Sequence, residues 1–138
     1  MSTDVKDEFQ GAKYRVVHCS GALESFFQSL THVETHKGTA LKRGMVQQIQ
    51  RLADGHRMSR ENFPREGELP KRIDGSSAGY FFALKMLPIR GYCWQSDSHP
   101  NTWFISHYVY KDYQKLKKRD ETKVAENWTR IEVGGNER

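Results

Sequence analysis

Long apolar runs are missing from this 138-residue chain. None approaches the roughly 18 residues that a membrane-crossing helix needs, so no membrane partner is expected. Cysteine is scarce, with only Cys19 and Cys93, each among apolar or aromatic residues. Two such thiols read as buried and free, because a zinc site needs more ligands at tighter spacing and a disulfide does not suit a cytoplasmic chain. His18, His32, His36, His56 and His99 are scattered without ligand spacing, so neither a metal nor another cofactor is expected. Repeats and low-complexity segments are also missing. The opening MSTDVKDEFQGAK carries acids and no apolar core, which is not the pattern of a secretory signal. A cytoplasmic location is the expectation.

What the chain does have is a modest basic excess, +5 in formal charge with a pI of about 9.3. This suits nucleic acid or an acidic protein as partner and does not choose between them. The distribution says more. Lys111, Lys115, Lys117, Lys118, Arg119 and Lys123 fall within a short segment that holds only Asp112, Asp120 and Glu121 as acids.

Residues 1–12 and 133–138 read as flexible tails around a single domain spanning 13–132. Lys13 to Cys19 is a strand candidate. Ser20 is a candidate N-cap for a helix that places Leu23, Phe26, Phe27 and Leu30 on one stripe. Thr35 to Thr39 reads as a polar connection, and Thr39 as the cap of a second helix with Leu41, Met45, Ile49 and Leu52 on its apolar face. Gly55 marks its end. Residues 55–79 read as a long irregular segment. Three apolar, aromatic runs follow: Tyr80 to Met86, Ile89 to Gln95 and Thr102 to Tyr110. Breaks at Leu87-Pro88 and at Ser96 to Asn101 make them an antiparallel meander. A helix is expected from Lys111 to Asn127, then a short extended piece at Ile131 and Val133.

The class is therefore α+β, in the order β-α-α-β-β-β-α, with a twisted antiparallel sheet packed against a helical hairpin. The opposite sheet face is left for a partner. Lys85, Arg90 and His107 sit inside the strand runs, where a cation is costly unless it has open space or a task.

These features resemble the RelE/ParE superfamily of toxins from bacterial toxin–antitoxin modules, and within it the RelE/HigB-like ribonucleases. The resemblance covers about Lys13 to Trp128. It rests on the element order and on Phe82-Ala83-Leu84-Lys85, Ile89-Arg90-Gly91-Tyr92 and Phe104-Ile105-Ser106-His107, leading into Tyr110-Lys111 and Gln114-Lys115. It implies a small RelE-like fold and a toxin that cleaves ribosome-held mRNA by metal-free transesterification. It also implies a cognate antitoxin protein as partner.

Carried over by position, Lys85, Arg90, His107 and Lys111 become the catalytic candidates. Lys115, Tyr92, Trp94, Tyr110 and Tyr113 become candidates for holding RNA. Such a reaction needs a base near the 2′-hydroxyl, cations on the phosphate and an acid for the leaving oxygen. Arg90 offers a bidentate fork. His107 has the only side chain here whose ordinary pKa suits proton transfer near neutrality. Aromatic rings stack on unpaired bases. Two other functions fit the same fold: a ParE-like inhibitor of gyrase, and a non-catalytic RNA- or ribosome-binding domain.

Overall fold

A computed structural model of the chain describes residues 5–111 and 116–138. The strands are β1 (Glu8–Gln10), β2 (Arg15–His18), β3 (Arg65–Glu68), β4 (Tyr80–Met86), β5 (Ile89–Gln95) and β6 (Thr102–Tyr110). The helices are α1 (Ala22–Leu30), α2 (Thr35–Ala53) and α3 (Lys118–Trp128), which runs into a π-helical turn at Thr129–Val133. All six strands join one sheet in the order β1-β2-β6-β5-β4-β3. The class is α+β.

The sheet is mixed, not wholly antiparallel as expected. β2 runs parallel to β6, and every other pair is antiparallel. Parallel neighbours need a long connection. Here the helical hairpin, β4 and β5 all intervene between the two strands. The meander strands occupy the expected apolar runs, and the turn between β4 and β5 is the two residues Leu87 and Pro88, flanked by the Met86–Ile89 pair.

Several expected boundaries move. The N-terminal tail contributes β1, because Phe9 and Val5 bury themselves in the core. β3 arises within the segment read as irregular. Its sequence REGE has no β-branched or aromatic residue, and pairing with β4 alone makes it a strand. α2 starts at Thr35, so Thr39 is inside the helix. Neither Ser20 nor Thr39 is a cap: Gly21 and Glu34 precede the two helices, without a side-chain cap bond. Gly55 takes a left-handed φ of 81° and donates its N–H to the Leu52 carbonyl, which ends α2. α3 starts at Lys118 and not at Lys111, and the expected extended piece is helical.

The main correction concerns the face expected to be open. Side chains alternate across a strand, so the sheet has two apolar faces, and both are covered. On one, Val16, Leu84, Ile89, Cys93, Ile105 and Tyr108 pack beneath Phe26, Met45, Ile49 and Leu52 of α1 and α2. On the other, Val17, Phe81, Tyr92, Trp94 and Phe104 pack beneath Val124, Trp128 and Ile131. Positions 124, 128 and 131 recur at helical spacing, which makes α3 and its closing turn a second cover. Burying a large apolar side chain contributes about 1.5–3 kcal/mol, so this cover is an integral layer.

Glu132 pins that layer to the turn between β5 and β6. Its Oε1 accepts from the backbone N–H groups of Asp97 (3.0 Å) and Ser98 (2.8 Å). Its Oε2 accepts from Trp94 Nε1 (3.0 Å) and the Ser96 hydroxyl (2.7 Å). Trp94 is fully buried, so removing its acceptor leaves a buried donor unpaired. Glu132→Ala is expected to cost about 2 kcal/mol in urea unfolding. An unchanged midpoint would show that the clamp contributes nothing.

Candidate functional site

Pairing in the meander decides which side chains meet. Lys85 lies opposite Arg90, Arg90 opposite Val109, and Tyr92 opposite His107. Partners directly opposite share a face. One irregularity completes the set. Tyr92 pairs with His107 but Cys93 pairs with Ile105, which leaves Ser106 unpaired as a β-bulge. The extra residue turns Ser106 and His107 toward the same side, the α3 side. Lys111 keeps the parity of His107. Its N–H donates to the Pro88 carbonyl at 2.7 Å, and its Nζ reaches the Tyr92 hydroxyl at 3.3 Å. Lys85, Arg90, Tyr92, His107 and Lys111 thus occupy one face of the sheet.

Two carboxylates that sequence reasoning missed enter the cluster. Glu66 of β3 pairs with Arg90 (Oε1 to Nη1, 3.6 Å). Asp120, in the first turn of α3, accepts from His107 Nε2 at 3.1 Å. Three cations therefore face two acids, and the cluster is an ion network beneath α3. Arg90 is 1%, Lys111 2% and His107 3% exposed, while Lys85 is half-buried.

The hydrogen bonds fix the imidazole. Asn127 Nδ2 donates to the Ser106 hydroxyl (2.8 Å), and that hydroxyl is placed to donate to His107 Nδ1 (2.8 Å). Nε2 then carries the proton toward Asp120. A serine, a histidine and an aspartate stand in a row, but Ser106 is buried at 1% exposure and its hydroxyl is engaged by Asn127 and His107. The row orients His107 and offers no nucleophile.

Burial raises the Asp120 carboxyl, but the hydrogen bond and charge of His107, with Arg119 and Lys111, outweigh it and hold the group below its usual value. Burial pushes Glu66 up, and Arg90, Lys85 and Lys111 recover only part of the shift. Burial and the neighbouring Arg90 draw the Lys111 ammonium down against Asp120 and Glu66. Burial, with Asp120 and Glu66, raises the Tyr92 phenol. The signs differ in their effect on folding. Asp120 contributes stability that is present above the ordinary carboxylate pKa and lost as pH falls through its lowered one. The raised Glu66 does the reverse, costing stability once pH rises past its ordinary value.

The RNA-holding candidates divide. Tyr92 and Trp94 are fully buried between the sheet and α3, so neither presents a ring to a base. Their aromatic character serves the second core. Tyr110 is 39% exposed and stacks on His32, with ring centroids 5.0 Å apart. Tyr113 and Lys115 lie outside the described residues. Cys19 and Cys93 are buried and free, and burial pushes the Cys19 thiol up to about 12. Among the described residues no three His, Cys, Asp or Glu side chains gather to hold a metal ion, and no helix is long and apolar enough to cross a membrane.

No family model, no curated protein and no solved structure matches this chain.

Proposed function

We propose that the chain is the toxin of a toxin–antitoxin pair, an endoribonuclease that cuts mRNA on the ribosome, with a cognate antitoxin as its inhibitor. The observation that supports this reading best is the meeting of Lys85, Arg90 and Lys111 with the His107–Asp120 pair on one sheet face. With β1 and β3 set aside, the succession β2-α1-α2-β4-β5-β6-α3 is the part of the element order that supports the reading of a RelE-like fold.

In this reading the 2′-hydroxyl attacks the adjacent phosphorus and the 5′-oxygen leaves. Arg90 forks onto the phosphate, with Lys85 and Lys111 as further cations as charge builds. His107 transfers the proton, and Asp120 orients its ring. Lys85, the least buried of the three cations, marks the side by which a phosphate enters. That phosphate takes the place of Glu66 on Arg90. The near-complete burial of Arg90, His107 and Lys111 favours the second reading, a non-catalytic RNA- or ribosome-binding domain in which the ion network is structural.

Lys85 separates the two because it can be changed without opening the core. Expression in a bacterial host is expected to arrest growth with transcripts cut, and Lys85→Ala to reduce cleavage about 100-fold with an unchanged melting temperature. Equal cleavage by Lys85→Ala would remove Lys85 from the site. Intact transcripts beside damaged DNA would replace the nuclease with gyrase inhibition.

A further inference from the structure

A second site lies on the helical-hairpin face of the sheet, at the opposite end of β4 and β5 from Lys85 and Arg90. A cleft of about 580 Å³ opens there, lined by Phe63, Tyr80, Phe82 and Trp103 with Gln95 and Ser96 beside them. The rings are ordered. Phe63 and Phe82 lie parallel, 4.9 Å apart with 2° between their planes, and Trp103 meets both edge-on at 5.6 and 5.9 Å. Tyr80 stands at the rim, 40% exposed, with the Arg65 guanidinium 4.2 Å from its ring centre. Asp97 also lines the cleft, but Arg72 engages both its oxygens, at 2.8 and 2.9 Å, so its charge is matched.

Two features are unexplained by packing alone. Trp103 is 7% exposed, and its buried Nε1 has no hydrogen-bond acceptor among the described residues, an expense that folded proteins generally avoid. The segment leading to the cleft carries Arg57, Arg60 and Arg65 against Glu61 alone, and among the described residues none of these arginines makes a salt bridge.

We propose that this cleft binds a nucleotide, with the base against the Tyr80 and Phe82 rings, an acceptor on the base partnering Trp103, and the phosphate at Arg65. Aromatic faces suit every base, an indole N–H needs an acceptor, and a guanidinium pairs with a phosphate in two parallel hydrogen bonds. A free mononucleotide and an unpaired position in an RNA strand share this chemistry. The proposal does not rest on the nuclease reading, since Phe82 and Trp103 belong to the core under α1 and α2.

The test is a titration of the ¹⁵N-labelled full chain with AMP, with UMP and with an eight-residue single-stranded RNA. Three tryptophans give three indole resonances, and Trp103→Phe assigns the relevant one. The Trp103 signal is expected to move and saturate. Tyr80→Ala and Arg65→Ala, both at exposed positions, should each weaken binding about tenfold, with the other indole signals in place. Lys123→Ala, at an exposed position of α3, should bind as tightly as the parent chain. Saturation by mononucleotides and oligomer alike supports a free-nucleotide site, and saturation by the oligomer alone supports a strand site. A stationary Trp103 signal with every ligand, or undiminished binding by Tyr80→Ala, overturns the proposal.

Discussion

Deleting Ser106 is expected to give a folded protein that loses about 1–3 kcal/mol, close to the loss in Ser106→Ala. Along a strand the side-chain period is two, and a one-residue slip in a regular strand sends every following side chain to the other face. Ser106 is the extra residue of a bulge. Tyr92 pairs with His107 and Cys93 with Ile105, so its removal joins Ile105 to His107 in regular alternation and keeps each on its own side. Tyr108 keeps the place where it packs 4.9 Å from Phe26 and bonds His18 Nε2 at 2.6 Å. His107 still faces Asp120, and Lys111 still faces Tyr92. What both variants lose is the hydroxyl that Asn127 and His107 engage. Circular dichroism melts and amide dispersion in NMR spectra read the result. Loss of cooperative folding in the deletion alone would contradict the assignment of the extra residue to Ser106.

Arg90→Ala should cost about 3–5 kcal/mol, because it removes a buried guanidinium and leaves Glu66 without its ion-pair partner. For a domain whose whole stability is about 5–15 kcal/mol, that approaches unfolding. Adding Glu66→Gln should recover part of the loss, since a neutral amide is cheaper to leave unpaired than a carboxylate. Urea unfolding of the two single variants and the double variant gives the coupling. A cost below about 1 kcal/mol for Arg90→Ala, or no recovery in the double variant, would show that Arg90 and Glu66 do not act as a pair. Loss of activity in Arg90→Ala is accordingly a poor sign of catalysis. Lys85, half-buried at the edge of the network, gives the interpretable result.

The residues show why some of this was legible in the sequence. β4, β5 and β6 stand out because β-branched and aromatic runs are bounded by Pro, Ser, Asp and Asn. α1 and α2 stand out through Phe26, Met45, Ile49 and Leu52 at helical spacing. β3 is invisible because Arg65, Glu66, Gly67 and Glu68 acquire strand geometry only from a neighbour far along the chain. The cover provided by α3 was hidden because Val124, Trp128 and Ile131 are sparse apolar positions among charges, and the stripe continues beyond the α-helix into a π-helical turn.

At the candidate site, the cations were legible as misplaced charges in apolar strands. Their acidic partners were not. Glu66 sits in a stretch without pattern, and Asp120 reads as an ordinary acid of a first helical turn, where negative charge is common. The meeting of His107 with Lys85 and Arg90 depends on a bulge at Ser106, and nothing in Phe104-Ile105-Ser106-His107 distinguishes a bulged strand from a regular one. Tyr92 and Trp94, read as stacking platforms, alternate with Cys93 as a core strand does when both of its faces are buried.

The most direct test of the proposed function is incubation of the purified full-length protein with single-stranded RNA and with ribosome-bound mRNA, followed by analysis of the product ends. Attack by the 2′-hydroxyl yields a 2′,3′-cyclic phosphate on one fragment and a 5′-hydroxyl on the other. Those ends, made by the parent chain and about 100-fold more slowly by Lys85→Ala, are the expected result. RNA that stays intact on and off the ribosome, with the protein folded, would contradict the nuclease reading and leave the Lys85–Arg90–His107–Lys111 cluster as a structural ion network.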